Sequence, residues 1–128
     1  MLETNQLMKV TTLDINGQTL IVPGKPGLIG DIVRVRIRSR DVIVSPVRVN
    51  THIIENQLEG IISKIYTEKD TAFSELMIDL KNTKINKKSQ LLRARITTYN
   101  LNKMKIAENK KVFIYISSVS IYRQAYQY

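Results

Sequence analysis

Few residues in this sequence have both the side-chain type and the spacing that catalysis or metal binding requires. The chain contains no cysteine, which excludes disulfides and thiolate metal sites. Its one histidine, His52, cannot form a histidine cluster, and we expect it to be a surface residue in a connector rather than a catalytic base. No serine stands in a glycine elbow, and the acidic residues are scattered. The sequence therefore predicts that the chain is not an enzyme.

The dipeptide Gly24-Lys25 is the nearest approach to a phosphate-binding loop. It lacks the upstream glycine and the Ser or Thr that would follow the lysine. Residues 23–27, Pro-Gly-Lys-Pro-Gly, contain two prolines and two glycines, which remove hydrogen-bond donors and loosen the backbone, so the helix that should follow such a loop is not expected. We therefore expect no ATP hydrolysis within these 128 residues.

The positive charge is concentrated in one segment of the chain. The formal net charge is +9, yet residues 1–80 hold 9 basic and 10 acidic side chains, whereas residues 81–111 hold 10 basic and 1 acidic. Four lysines of this segment lie in a polar hairpin loop: Lys81, Lys84, Lys87 and Lys88. A solvated loop is the preferred interpretation, because no aromatic residue that could stack on bases is interleaved with these lysines. The alternative is a docking patch for an acidic surface or for the phosphates of a nucleic acid.

A second basic pattern lies in residues 32–44, which we predict to be one strand. Side chains alternate between the two faces of a strand, so four arginines share one face and aliphatic residues share the other; the arginines are Arg34, Arg36, Arg38 and Arg40. This face could be an anion-binding or interface surface. We prefer a structural interpretation, in which the arginines face solvent or pair with Asp31 and Asp41.

The pattern of apolar residues and turn signals predicts at least seven strands and one short helix. Asn16-Gly17 is a strong hairpin signal, and Gly60 marks an expected bulge or bend in its strand. Thr97 or Thr98 is expected to cap the helix, and a turn is expected at Asn109. Leu101, Met104 and Ile106 would pack one face of the helix on a sheet. The predicted strands span residues 7–15, 20–22, 32–44, 57–67, 72–80, 91–96, 112–116 and 119–121. This set of elements is typical of all-β barrels.

Length and hydropathy limit the architecture and the location. With 128 residues and 43% apolar content, the chain is long enough for one domain or for two half-size barrels that share a core. No apolar run approaches the roughly 20 residues that span a bilayer, and the first residues lack a signal-peptide pattern. The expected location is the cytoplasm.

Three stretches of the sequence resemble one protein family. Residues 34–44, Arg-Val-Arg-Ile-Arg-Ser-Arg-Asp-Val-Ile-Val, resemble the strand that enters the C-terminal accessory domain of molybdate ABC-importer ATPases. Asn56-Gln57-Leu58-Glu59-Gly60 stands where that family and the molybdate-binding Mop proteins carry a Ser-Ala-Arg-Asn motif followed by glycine. Residues 94–121 are similar to the family's series Ala-Arg-Ile-Thr, Ser, Leu-x-Leu, Gly and Ile-Lys-Ser-Val. The resemblance covers nearly the whole chain.

The resemblance implies a fold, a set of partners and a ligand. The fold would be an oligomer-binding (OB)-like Mop/TOBE barrel in two halves with one short helix. Residues 1–50 would supply the N-terminal barrel part and the entering strand, and residues 51–128 a Mop-like barrel, packed as one unit. Partners would be a second copy of the chain and the ATPase and permease subunits of an importer, which would place the chain at the cytoplasmic side of the inner membrane. In some members a molybdate or tungstate anion is held between subunits.

The resemblance also implies which residues would contact such an anion. Matched by position, they are Glu55, Asn56, Thr97, Asn100 and Ser117, together with backbone amides around Glu55 and Asn56. Glu55 stands where the binding members carry arginine, and Ser117 where they carry lysine. Both cationic anchors are therefore missing, and Glu55 would repel a dianion. Amides and hydroxyls can hold an oxyanion without formal charge, but the affinity should fall, and a purely structural role in the parent ATPase is the preferred interpretation.

Three functional hypotheses follow. The first is a non-catalytic accessory and regulatory domain of a molybdate-type ABC importer, in which a bound oxyanion would hold the attached ATPase subunits apart. The second is a nucleic-acid-binding barrel that uses the Lys81–Lys88 loop, although we expect nucleic acid to be the less favoured partner. The third is a degenerate remnant without a ligand.

Overall fold

Strands make up most of the computed structural model of the chain, which describes residues 3–5, 8–24, 27–81 and 90–123. In chain order the strands are β1 Glu3–Asn5, β2 Val10–Ile15, β3 Gln18–Pro23, β4 Val35–Ile37, β5 Ile43–Ser45, β6 Asn56–Thr67, β7 Phe73–Leu80, β8 Leu91–Thr97, β9 Lys111–Ile116 and β10 Ile121–Arg123. The helix α1 spans Thr98–Lys103. The prediction of an all-β chain with one short helix is confirmed.

The strands of the described residues form three antiparallel sheets. β1, β2 and β3 form the first, β4 pairs with β10 in the second, and the third has the order β5-β9-β6-β7-β8. The third sheet curls, so that β8 at one edge contacts the 3-10 turn Ser39–Asp41, which precedes β5 at the other edge. Among the described residues, no helix is both long enough and apolar enough to cross a membrane.

One hydrophobic cluster joins the sheets. Alternate residues of β6 and β7 point inward, including Leu58, Ile62, Leu76 and Ile78, and β9 adds Ile114. The same cluster includes residues of the first hairpin, namely Leu13, Leu20 and Val22. The predicted division of the chain at residue 50 stays a prediction, and β5, which precedes it, pairs with β9, which follows it.

Several local predictions are confirmed. Asn16 and Gly17 have φ of 53° and 86°, which two-residue hairpin turns of this type require, and they join β2 to β3. Thr97 caps α1, because its Oγ1 accepts a hydrogen bond from the amide of Asn100 at 3.1 Å. Leu101 of α1 is buried as expected, whereas Met104 and Ile106 follow the end of the helix, Met104 partly buried and Ile106 buried against the same cluster. Asn109 lies in a turn with φ of 68°.

The prediction of one strand over residues 32–44 is wrong. The ladder stops after Ile37, and two short-range bonds form a 3-10 turn: the Asp41 amide donates to Arg38 O at 2.9 Å, and the Val42 amide donates to Ser39 O at 3.3 Å. This turn lets the chain leave β10 and join β9 as β5. Side chains still alternate between partly buried and exposed through residues 33–40, although the strand ends at Ile37. All four arginines are exposed, as predicted.

The predicted bulge at Gly60 is also misplaced. Gly60 keeps its register with Leu80 and Val112, and the irregularity lies between Ile62 and Lys64. Glycine is required at position 60 for a different reason: a Cβ there would lie 2.6 Å from Cγ2 of Ile78 and 2.9 Å from a backbone oxygen. Similarly, residues 119–120 belong to a 3-10 turn, Ser118–Ser120, rather than to a strand.

Candidate functional site

Two of the predicted site residues, Glu55 and Ser117, meet where β6 begins and β9 ends. Asn56 pairs with Ile116, so the residues just outside this pair are neighbours. Glu55 Oε2 accepts a hydrogen bond of 2.9 Å from the amide of Ser118. That amide, together with Glu55's own amide, holds the pKa of the Glu55 carboxyl below its ordinary value of 4.5, and slight burial opposes the shift. The backbone amides at this point stabilise a negative charge. The Glu55 carboxylate of the same chain is the negatively charged group that accepts their hydrogen bonds.

Asn56 has a structural position beside this pair. It is 1% exposed, and its side chain bonds with the backbone of β3: Oδ1 accepts from the Ile21 amide at 2.6 Å, and Nδ2 donates to Ile21 O at 2.9 Å. Both polar atoms of the side chain therefore serve to attach the first hairpin to β6. We call Glu55, Asn56, Ser117 and Ser118 the amide corner.

Thr97 and Asn100 lie at the other end of the sheet. Besides the Thr97 cap, three hydroxyls meet there: Ser74 Oγ lies 2.9 Å from Thr98 Oγ1 and 3.2 Å from Thr67 Oγ1. We call Thr67, Ser74, Thr97, Thr98 and Asn100 the hydroxyl corner. Sequence reasoning missed Thr67 and Ser74. The available signal was a serine at an inward-facing position of β7, where every other inward residue is aliphatic.

The two corners lie at opposite ends of β6. Thr67 pairs with Ser74 and Phe73 with Thr97, whereas Asn56 begins the strand. A strand of 12 residues spans about 35 Å when extended. The five predicted residues therefore form two groups rather than one site within a single chain.

The lysine loop, His52 and the arginine row, which the sequence also singled out, belong to neither corner. Glu59 is surrounded by three cations, with Arg48 at 2.9 Å, Lys81 at 3.0 Å and Lys111 at 3.7 Å. The hydrogen bond from Lys81 is the main reason that the pKa of Glu59 is lowered. The other three lysines of the predicted loop fall in residues 82–89, outside the described part of the chain. His52 is exposed, and pairing of the arginine row with Asp31 and Asp41 stays a prediction.

The described part of the chain contains no evident metal site. Within residues 3–5, 8–24, 27–81 and 90–123, no three His, Cys, Asp or Glu side chains are grouped closely enough to hold an ion. The donors at the two corners are amides and hydroxyls, which suit an oxyanion better than a cation.

The fold is similar to that of a solved molybdate-binding protein. That protein is ModG, described as a cytoplasmic molybdate-binding protein and solved with molybdate bound. The TM-score is 0.65 at 12% sequence identity, and the match covers 86% of this chain and 78% of that chain. A scan of the sequence against protein families finds no match, and neither does a search of curated proteins. The likeness confirms the predicted OB-like, Mop-type fold.

Proposed function

We propose that this chain binds a tetrahedral oxyanion of the molybdate or tungstate class between two copies of itself. The observation that carries the proposal is the likeness of the fold to a protein crystallised with molybdate, over 86% of the present chain. The amide and hydroxyl corners provide the donors. Apart from the Glu55 carboxylate, their polar groups are backbone N–H groups and neutral side chains, which bind oxyanions by hydrogen bonding.

A second copy is part of the proposal because of where the corners lie. They are at opposite ends of β6, so one chain cannot direct both at the same anion. Two copies arranged with their β6 strands antiparallel would bring the amide corner of one copy to the hydroxyl corner of the other. A two-fold arrangement of this kind produces two equivalent sites per dimer.

Glu55 would set the affinity of such a site. Its carboxylate already accepts the Ser118 amide, so an oxyanion must displace it and then remain near a like charge. Two unit charges a few Å apart repel by about 4 kcal/mol at an effective dielectric of 20. Removing the charge of Glu55 should therefore tighten oxyanion binding by tenfold or more.

Titration calorimetry tests this proposal. Tungstate, molybdate and sulfate would be titrated into the wild-type protein and into the Glu55→Gln variant, at protein concentrations where dimers form. We expect weak heats with tungstate and molybdate for the wild type and affinities at least tenfold higher for the variant. Asp79→Asn is the matched control, since it removes a carboxylate from an outward position of β7 that belongs to neither corner. Absence of binding to both Glu55 forms with all three anions would contradict the proposal.

We further propose that the chain acts as a non-catalytic accessory and regulatory domain of a molybdate-type ABC importer. The support is the resemblance of residues 34–44 and 94–121 to the accessory domain of such ATPases. Isolation of the native polypeptide from membranes of its source, with antibodies against this chain, checks the idea. We expect an ATP-binding subunit, covalently attached or co-purifying. Recovery of the chain with no such subunit would contradict it.

A further inference from the structure

Three exposed aromatic side chains lie on one side of the protein, away from the amide corner. Tyr66 on β6 is 50% exposed, Phe73 on β7 is 39% exposed, and Tyr99 in the first turn of α1 is 70% exposed. Tyr66 on β6 pairs with Glu75 on β7, and Phe73 is the next residue of β7 on the same face. Phe73 in turn pairs with Thr97 on β8, two residues before Tyr99. The three rings therefore follow one another across the outer face of β6 and β7 to the start of α1.

Each ring has a cation above it. Arg95 lies 4.2 Å from the centroid of Phe73, Lys103 lies 5.6 Å from that of Tyr99, and Lys64 lies 5.8 Å from that of Tyr66. Arg93, the next outward residue of β8, pairs with Met77, which in turn pairs with Lys64. Four cations thus line one row of aromatic residues. We call this surface the aromatic–cation face.

Four carboxylates of the region offset much of this charge, and Lys69 adds a fifth cation in the turn between β6 and β7. Glu75 lies on the face and pairs with Arg95 at 3.9 Å. Asp79 is the next outward residue of β7 beyond Met77, and Glu68 and Asp70 lie in the turn that joins β6 to β7, at one edge of the face. A bound anionic polymer would therefore run over Lys64, Arg93 and Arg95, with the turn at its side.

We infer that the aromatic–cation face binds single-stranded nucleic acid. Unpaired bases stack on exposed aromatic rings and on arginine planes, while lysine and arginine neutralise the phosphates. An acidic protein surface would need the cations but not the row of rings. The face shares no residue with either corner, but it borders the hydroxyl corner, because Tyr66, Phe73 and Tyr99 are next in sequence to Thr67, Ser74 and Thr98. Titration with anions and titration with oligonucleotides therefore test the two proposals separately. The inference also differs from the lysine-loop hypothesis, since the residues involved are distant in sequence and are brought together by the sheet.

The test compares two polymers of equal charge. Fluorescence anisotropy would measure binding of a labelled 15-nucleotide oligothymidine and of an abasic oligomer of the same length, near physiological salt. We expect the oligothymidine to bind at least tenfold more tightly, since each stacked base contributes about tenfold. In the double variant Tyr66→Leu/Tyr99→Leu this difference should shrink at least tenfold, because only Phe73 of the three rings remains. Leucine keeps apolar bulk at two exposed positions, so the fold should be retained, which circular dichroism would verify.

Charge variants provide an independent check. Glu68→Gln should tighten binding of the oligothymidine and Lys64→Gln should weaken it, whereas the exposed Lys110→Gln, in the turn before β9, should have little effect. Equal affinity of the wild type for the two polymers would show attraction by charge alone and would overturn the inference. So would binding of the oligothymidine no tighter than about millimolar, which is weaker than ordinary non-specific binding.

Discussion

Glu55 and Asn56 are neighbours in sequence but have opposite roles. Glu55 is exposed and holds an amide of the turn after β9, whereas Asn56 is buried and holds the backbone of β3. The alternation of faces at the start of β6 separates them, because successive side chains point to opposite sides. Adjacent positions matched to one motif therefore cannot be assumed to contribute side chains to one site.

The hydrogen bond of Glu55 predicts a pH-dependent contribution to stability. A carboxyl whose pKa is lowered in the folded state stabilises the fold above its unfolded pKa, near 4.5, and loses this effect as the pH falls through the lowered value. We expect Glu55→Gln to be less stable than the wild type at pH 7 by less than about 1 kcal/mol, since the group is exposed.

Urea denaturation at a series of pH values measures this difference. The gap between wild type and Glu55→Gln should be constant near neutrality and should close below pH 4.5. Glu68→Gln controls for the loss of one negative charge. A gap that widened as the solution became more acidic would contradict the proposed role of the bond.

The sequence contained the local information but not the long-range partners. The Asn16-Gly17 turn and the Thr97 cap were predictable because each depends on residues within a few positions. The partnership of Asn56 with Ile21 was not, because it joins residues 35 positions apart through a side chain, and no periodic pattern marks it. The 3-10 turn at Ser39 was missed for a related reason: the alternation of residues continues through it, although the ladder does not.

At the scale of elements, β3 and β6 are joined by side-chain amides instead of a strand ladder. Gln18 supplies the second link, because its Oε1 accepts from the Glu59 amide at 2.7 Å and its Nε2 donates to Glu59 O at 3.0 Å. Two carboxamides, one from each strand, thus take the place of peptide groups. The attachment of the hairpin depends on them together with its buried aliphatic residues.

Asn56→Ala should loosen this attachment. It leaves the N–H and C=O of Ile21 without their partner in a mostly buried site, which costs about 1–3 kcal/mol. Urea denaturation measures the loss, and hydrogen exchange at the Ile21 amide should accelerate more than exchange in β7. Asn50→Ala, in an exposed connector, is the control. Unchanged protection of Ile21 would show that packing alone holds the hairpin.

Gly60→Ala should destabilise the fold by overpacking the core at the point where β6 pairs with β7 and β9. The added methyl group would meet Ile78, the backbone oxygen of Asp79 and, at 3.3 Å, Ile114. Overpacking of a core usually costs about 1–3 kcal/mol. Chemical denaturation checks this expectation, with Lys64→Ala on the exposed side of the same strand expected to stay within about 0.5 kcal/mol of the wild type. A neutral Gly60→Ala would mean that the sheet relaxes freely at this point.

For the whole molecule, the separation of the two corners predicts a coupling between anion binding and association. If each site consists of the amide corner of one copy and the hydroxyl corner of the other, an anion binds the dimer and not the monomer. At a tungstate concentration 100 times the dissociation constant, each site stabilises the dimer by about 2.7 kcal/mol. Sedimentation velocity at fixed protein concentration should show the dimer fraction rising with tungstate, with sodium chloride of equal ionic strength as control. Binding to a species that remains monomeric would refute the shared site.

The 3-10 turn between β4 and β5 has one more consequence. An uninterrupted strand of about a dozen residues, rich in Val, Ile and Arg and lying at the rim of a sheet, would offer a long row of backbone groups to any other extended polypeptide. Ser39, Arg40 and Asp41 divide that row into pieces of three residues. We therefore expect this turn to limit pairing with other extended chains, and replacement of Ser39, Arg40 and Asp41 with valine to increase aggregation measured by light scattering.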